Sequence, residues 1–389
     1  MVLGVGTYLP LTLLAPVSPA TATVDTYDAP VRPASELAWP GYGASAIGAV
    51  GFDGILAANG SSEPLPIASI SKIVTALVVL DAKPLALEES GPDVTLTAAD
   101  VALYGKYVRM NGKVEPVKVG LVMTERQLLE VTLVSSANNY AESLAVWAYG
   151  STDAFVAAAT AWLASNGLAQ TAIVEPTGLS ASNVSSASDL VRLGMLAIAN
   201  PVVAEIVALR GADLPFIGHI GNSNDLLGVD GVDGIKTGTL DEAGACLLFS
   251  ADYTVGSQSV TVVGVVLGGV DHDSLDVAIR TLLDGVADGF HEVELAREGE
   301  AFAAYATPWD QTAEAVASEN ESVVVWFDTP ISATVTAGDV TAATTGDTVG
   351  TVTFVVGEKT IEVPLILDAG LGDPGPWWRL SHPLDLFTG

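Results

Sequence analysis

The chain has 389 residues, 49% hydrophobic and 16% charged. That describes a folded chain long enough for two or three domains and excludes an intrinsically disordered protein. With 46 acidic residues against 15 basic ones the net charge is −31, a surface that repels nucleic acid and anionic lipid.

Residues 1–31 contain no Lys, Arg or His, and Met1 to Val17 is mostly apolar. Ala20-Thr21-Ala22 has the form of an A-x-A cleavage site, so residues 1–22 read as a signal or membrane-anchor segment. A basic leader region is missing, and Pro10 and Pro16 interrupt the run. The reading is an anchor whose start lies upstream, because a spanning helix needs about 20 apolar residues. Residues 23–40, rich in Pro, Ala and Thr, read as a linker.

From Ala44 to Ala58, two apolar strands flank Asp53-Gly54, a hairpin signal. Ser71 to Asp81 reads as a buried helix stopped by Pro84. Residues 85–120 read as irregular. Thr124-x-x-Gln127 is a capping box opening a helix with Leu128, Leu129 and Leu133. Asn139 to Tyr149 and Asp153 to Asn166 follow as helices, ended by Gly150 and Gly167. Ser188 is expected to cap a helix carrying Leu190, Leu193 and Met195. The period then changes: Gly234–Gly238, Gly244–Tyr253 and Val260–Gly268 read as strands, and Asp273 to Glu292 as a helix. Strands, a helical block and strands again predict an α/β (α+β) domain over residues 41–294, a mixed sheet with a helical insertion. From residue 295 to 389, Thr, Val and Ala dominate. Ser322–Phe327, Thr351–Val356 and Thr360–Leu367 are the clearest strands of a C-terminal all-β, sandwich-like domain.

The single Cys246 cannot form an internal disulfide and lies in an apolar run, so it reads as a small buried strand residue. His219, His272, His291 and His382 are scattered, with no H-E-x-x-H, and read as surface residues. No metal or cofactor is implied.

Three short motifs carry chemistry. Ser69-Ile70-Ser71-Lys72 places a serine at the junction of a loop and a helix, with a lysine one turn later on the same face. A serine hydroxyl needs a nearby base, and a lysine can serve if burial and a second cation lower its pKa. Ser136-Ala137-Asn138 lies between two helices. A second S-x-N, Ser318-Glu319-Asn320, sits in a polar stretch and lacks that context. Lys236-Thr237-Gly238 is the only K-T-G and lies at a strand edge. Its glycine lets a ligand backbone approach, and Lys236, Thr237 and Thr239 can bind a carboxylate. Taken singly, these motifs also fit a helix cap, an ordinary N-cap and a strand-end turn.

Their surroundings decide. Ile67-Ala68-Ser69-Ile70-Ser71-Lys72-Ile73-Val74-Thr75 resembles the active-site helix of low-molecular-mass penicillin-binding proteins, the serine D-alanyl-D-alanine carboxypeptidases. Leu133 to Asn139 resembles their second motif, and Glu175-Pro176-Thr177-Gly178-Leu179-Ser180 with Asn183-Val184-Ser185-Ser186 resembles a further segment. Gly231 to Gly238 with Glu242-Ala243-Gly244 resembles the third. The resemblance covers about residues 40–290. It implies a serine β-lactamase/penicillin-binding-protein transpeptidase-like domain that removes the terminal D-Ala of peptidoglycan stem peptides, binds β-lactams covalently and works outside the cytoplasm, secreted or membrane-anchored. It assigns Ser69, Lys72 and Ser136 as catalytic, and Asn138, Lys236, Thr237, Gly238 and Thr239 as substrate-binding. Two departures stand out. Asn139 replaces the usual Asp, and Val270-Asp271-His272-Asp273 stands where many members carry an Arg that holds the substrate carboxylate. Thr239 is expected to replace that contact. A β-lactamase reading is weakened by the residues after Pro176 and by the β domain, and Glu175 is read as structural. A binding protein with lost chemistry is weakened because every residue needed for acylation is present.

Overall fold

The computed structural model describes residues 2–30 and 33–387. Met1 of the expected anchor, positions 31 and 32 of the expected linker, and the last two residues of the expected β domain lie outside them. The described chain divides into two compact units, residues 36–288 and residues 1–35 with 289–389.

The larger unit is built on a five-stranded antiparallel sheet. Its strand order is Val232–Leu240, Gly244–Val255, Gln258–Gly269, Ala44–Ala49 and Ala57–Gly60. Val232–Leu240, which carries the K-T-G motif, is therefore an edge strand, paired only on the side facing Gly244–Val255. Cys246 and Leu248 are buried in the same core as the helices, while the alternate residues Leu247 and Phe249 are equally buried. Both faces of the sheet are thus covered, and this burial drives strand formation in so apolar a stretch.

Helix Ala187–Ala199 packs on the sheet through Gly194, where a Cβ would lie 2.5 Å from Val263 Cγ1. Helix Ser71–Ala82 is buried over Ser71 to Leu80 and sits among helices Glu125–Leu133, Asn138–Tyr149, Thr152–Ser165 and Ala187–Ala199. A helix buried all round belongs in the middle of a bundle, and its position fixes the Ser69–Lys72 motif.

Three sequence expectations change. The stretch expected to be irregular contains helix Ala98–Arg109, opened by a capping box in which Thr97 Oγ1 accepts from Ala99 N and Asp100 accepts from Thr97 N. Its weak apolar stripe hid it, because only Tyr107 is buried. Ser186, not Ser188, caps the next helix, accepting from Asp189 N at 3.1 Å. The helix expected to reach Glu292 is His272–Gly289, and Phe290–Ala296 is a strand. Gly289 breaks the helical run, and the alternation of Val293 and Leu295 suits pairing with Glu321–Trp326.

The second unit is mostly β. Its six-stranded sheet runs Thr23–Val24, Ala301–Ala306, Thr312–Ala317, Lys359–Leu367, Thr348–Val356 and Ile331–Ala337. Phe302, Tyr305, Val352, Phe354, Val363 and Leu365 form its core. The stretch read as linker thus contributes a strand, Thr23 opposite Ala304. Helix Val2–Leu13 contacts helix Gly375–Ser381, where Tyr8 Oη donates to Leu380 O at 2.7 Å. Among the described residues no single helix is long and apolar enough to cross a membrane.

Candidate active site

The three motifs are far apart in sequence and converge at one cleft of about 560 Å³. Ser69, Ser136, Asn138, Thr237, Gly238 and Thr239 line it. Lys72 lies fully buried behind Ser69, and Lys236 is 2% exposed.

Ser69 lies in the single 3-10 turn Ala68–Ile70 that leads into helix Ser71–Ala82. Neither element takes its N-cap from the Ser69 side chain, so that hydroxyl is not a structural cap. Ala68 holds a left-handed φ of +46°, uncommon for a residue with a Cβ. The turn is held by the segment after Glu175. The Glu175 carboxylate accepts from Thr177 N and Oγ1 at 2.7 Å, from Gly178 N at 2.7 Å and from Ser180 N at 3.2 Å. Asn183 Nδ2 donates to Glu175 O and to Ser71 Oγ, and Thr75 Oγ1 donates to Pro176 O. Gly178, at φ +81°, passes so close that a Cβ there would lie 1.8 Å from Ala68 O. Glu175 therefore organises a turn with its oxygens already occupied, as a structural residue does.

Lys72 Nζ contacts Ser69 Oγ at 2.9 Å, Asn138 Oδ1 at 2.6 Å and Thr177 O at 2.6 Å. A neutral amine has two N–H donors and one lone pair. With Asn138 and Thr177 taking the two N–H groups, the lone pair is left for the Ser69 hydroxyl. The electrostatics favour that form: burial holds the Lys72 pKa well below the ordinary lysine value, and Lys236 and Lys113 lower it further against Glu175. Burial, with help from Lys113, also pushes Lys236 down to about 7.

Ser136 bridges helices Glu125–Leu133 and Asn138–Tyr149 at φ +63°. The N-cap of the second helix is Ala137, without a side-chain bond, so Ser136 is not its cap. Its 6% exposure opens into the cleft. The following residues clamp the loop that brings Lys113 to the cleft. Asn138 N donates to Lys113 O at 2.8 Å, and Tyr140 Oη donates to Pro116 O at 2.7 Å. Asn139 uses both ends of its amide on Glu115, accepting from its N–H at 3.1 Å and donating to its carbonyl at 3.0 Å. An Asp could do only the first, which is the physical reason an amide suits this position.

On the opposite wall, Gly238 lets the edge strand approach the nucleophile turn, since a Cβ there would lie 3.0 Å from Ile67 O and 3.3 Å from Ser69 N. Thr237 Oγ1 is 2.6 Å from Ser223 Oγ, and Thr239 Oγ1 is 2.7 Å from His272 Nε2. The expectation that His272 is a plain surface residue is corrected: it begins helix His272–Gly289 and lines the cleft. Among the cleft residues that motif reasoning missed are Lys113, Ser223 and His272. His272 had a signal, since it stands in the segment where the usual Arg is missing. Lys113 and Ser223 had none, because each reaches the site through a loop. Among the described residues no group of three or more His, Cys, Asp or Glu side chains could hold a metal ion.

A buried lysine thus contacts a serine at a helix start and faces an edge strand with a second buried lysine, on a mixed sheet-and-helix scaffold. The comparisons name the class. The structure resembles penicillin binding protein 5 from Haemophilus influenzae, with a TM-score of 0.61 at 19% identity over 87% of this chain and 99% of that one. It is equally similar to a peptidoglycan synthesis regulatory factor from Streptococcus pneumoniae, at 23% identity over 87% of this chain and all of the other. The sequence model of the D-alanyl-D-alanine carboxypeptidase family matches residues 51–270. The chain belongs to that family. A D-alanyl-D-alanine endopeptidase of Pseudomonas aeruginosa is 36% identical over 47% of this chain and 58% of its own length. The D-alanyl-D-alanine carboxypeptidase DacB2 of Mycobacterium tuberculosis is 34% identical over 48% of this chain and 62% of its own. The chain thus spans about three fifths of the curated relatives it matches.

Proposed function

We propose that this chain is a serine D-alanyl-D-alanine carboxypeptidase that acts outside the cytoplasm on peptidoglycan stem peptides and is acylated by β-lactams. The observation that carries the reading is the buried Lys72 amine, 2.9 Å from Ser69 Oγ with its other two contacts taken by Asn138 and Thr177. Lys72 takes the Ser69 proton as Oγ attacks the carbonyl between the two D-Ala residues. The N–H groups of Ser69 and Thr239 receive the developing oxyanion. The C–N bond breaks, and the proton leaves with the D-Ala amine through Ser136. Water then hydrolyses the acyl-enzyme. Asn138 holds both the substrate backbone and Lys72, while Lys236, Thr237 and Thr239 face the substrate carboxylate across the space that Gly238 leaves open. The apolar, base-free run from Met1 to Val17 supports the extracytoplasmic assignment.

The test is intact-protein mass spectrometry after a penicillin challenge, with product analysis on a D-Ala-D-Ala peptide. A stable adduct on Ser69, absent from Ser69→Ala, and release of D-Ala are expected. Fast turnover of the penicillin without an accumulating adduct indicates a β-lactamase instead. An endopeptidase reading has one observation in its favour. Val270 is 88% exposed where the family's Arg is expected, and Arg280, the next arginine, is engaged by Asp230 at 2.6 Å. An enzyme cutting an internal cross-link has no need to bind a terminal carboxylate. Cleavage of a cross-linked dimer without release of terminal D-Ala would favour it.

A further inference from the structure

We propose that His272 and Thr239 form a proton-switched clamp for the substrate's terminal carboxylate, in place of the missing arginine. This rests on the D,D-peptidase reading above. Three observations support it. His272 lines the same cleft as Ser69 and the K-T-G strand. Its Nε2 is 2.7 Å from Thr239 Oγ1, on the strand edge that lines the cleft. No other uncommitted base stands near in sequence: the residue after Gly269 is Val270, and Arg280 is tied to Asp230.

Proton inventory gives the switch. A neutral imidazole can accept from the Thr239 hydroxyl, which turns its O–H away from the cleft. A protonated imidazole can only donate, so Thr239 Oγ1 becomes the acceptor and its O–H is free to point at a carboxylate. Protonation therefore adds a charge and reorients a donor together. The surroundings of His272 are mixed. Asp271 and Asp273 flank it on its own helix, Asp225 acts on it from another loop, Lys236 acts from the strand and Asp241 lines the cleft. Burial, with Lys236 opposed by the three aspartates, holds the imidazole below its ordinary value. The neutral form thus predominates at pH 7, and the clamp closes as pH falls below the ordinary histidine range. Asp276, which burial raises to about 6, and Lys236, at about 7, titrate nearby and must be separated from it.

The experiment measures Ser69 acylation by a penicillin and by its neutral methyl ester, and by a depsipeptide with a free or amidated C-terminus, from about pH 5 to about pH 8. The ratio of kcat/KM for the acid to that for the neutral partner cancels the titration of Lys72, which both reactions share. The ratio should rise by about tenfold toward low pH, the order expected of one charge-assisted hydrogen bond. His272→Gln keeps a neutral polar side chain and should abolish the rise below pH 7, leaving only the Lys236 limb. A wild-type ratio that does not rise beyond the Lys236 limb near pH 7 overturns the clamp, and so does a further rise at lower pH that survives in His272→Gln, which would assign it to Asp276. If neither β-lactam acylates Ser69, the D,D-peptidase reading fails and takes the clamp with it. If acylation is normal and the ratio shows only the Lys236 limb, the clamp alone fails.

Discussion

Lys72→Arg separates a base from a mere positive charge. Arg keeps the donors but carries a fixed positive charge, because it does not deprotonate in a protein. In the native site the amine holds Asn138 Oδ1 and Thr177 O at 2.6 Å each and presents its lone pair to Ser69 Oγ at 2.9 Å. A guanidinium has no lone pair to offer. Losing a general base costs about 10²–10⁴-fold, which is roughly 3–5 kcal/mol of transition-state stabilisation. Fitting the larger head group into a site with 0% exposure adds strain of about 1–3 kcal/mol to the fold, read separately as a fall in Tm. The assay is the second-order acylation rate with a fluorescent penicillin across pH. The wild-type rate should climb with pH as Lys72 loses its proton, at a pH depressed by burial and by Lys236. The arginine variant should be slow and without that limb. Acylation within about tenfold of wild type, in protein that is folded by circular dichroism, refutes Lys72 as the base.

Lys236→Met should abolish recognition of a carboxylate-bearing substrate and raise Tm by a few degrees, because an apolar chain of similar length removes a buried ammonium whose only bond is to its neighbour's carbonyl, Thr237 O at 3.2 Å. Its folded pKa is about 7 against 10.5 for a free lysine. The native penalty is therefore fully present below pH 7 and fades as pH rises toward 10.5, so differential scanning calorimetry should show the largest Tm gain at acid pH. Asn139→Asp should loosen the loop carrying Lys113, leaving the Glu115 carbonyl against a carboxylate. The cost is about 1–3 kcal/mol in thermal stability, with increased proteolysis in that loop, and Asn139→Ala should cost less. A chain reduced to residues 36–288 should keep penicillin acylation within a few-fold of full length. Loss of acylation with native circular dichroism would show that the other unit completes the site.

What the sequence made legible is the chemistry held in short, rigid pieces. Ser69 and Lys72 share a turn of helix, so one motif fixes their relation. Lys236, Thr237 and Gly238 sit on one strand, where alternation sets which side chains face the cleft. The strands around Cys246 were legible because continuous apolar runs have few other uses. The helix Ala98–Arg109 was hidden because its packing face is narrow, although Thr97 and Asp100 wrote its cap into the sequence. The role of His272 was hidden for another reason. It meets Thr239 across 33 positions, through the geometry of a strand end and a helix start that no local pattern encodes. The Glu175 turn shows a middle case: the segment was recognisable, but the bonds that tie Thr177 O to Lys72 depend on a fold around the whole helix.

These observations locate a conflict between function and stability in the molecule. Two lysines are buried at one site: burial lowers the pKa of both, Lys236 and Lys113 lower Lys72 further, and Lys113 lowers Lys236. Two residues bearing a Cβ, Ala68 next to Ser69 and Ser136 itself, hold left-handed backbone at the cleft. Such conformations cost about 1–3 kcal/mol each and persist only when the surroundings over-determine them. Here they are over-determined. Gly178 presses on the Ala68 carbonyl, Glu175 locks the turn that contains Gly178, and Asn183 joins that turn to Ser71. The buried helix Ser71–Ala82 and the covered sheet supply the apolar burial that offsets the strain. The same burial that holds the fold also strips water from Lys72, which is what lowers its pKa. Stability and reactivity therefore draw on one physical source, the dry core behind Ser69, and a change that hydrates it should weaken both.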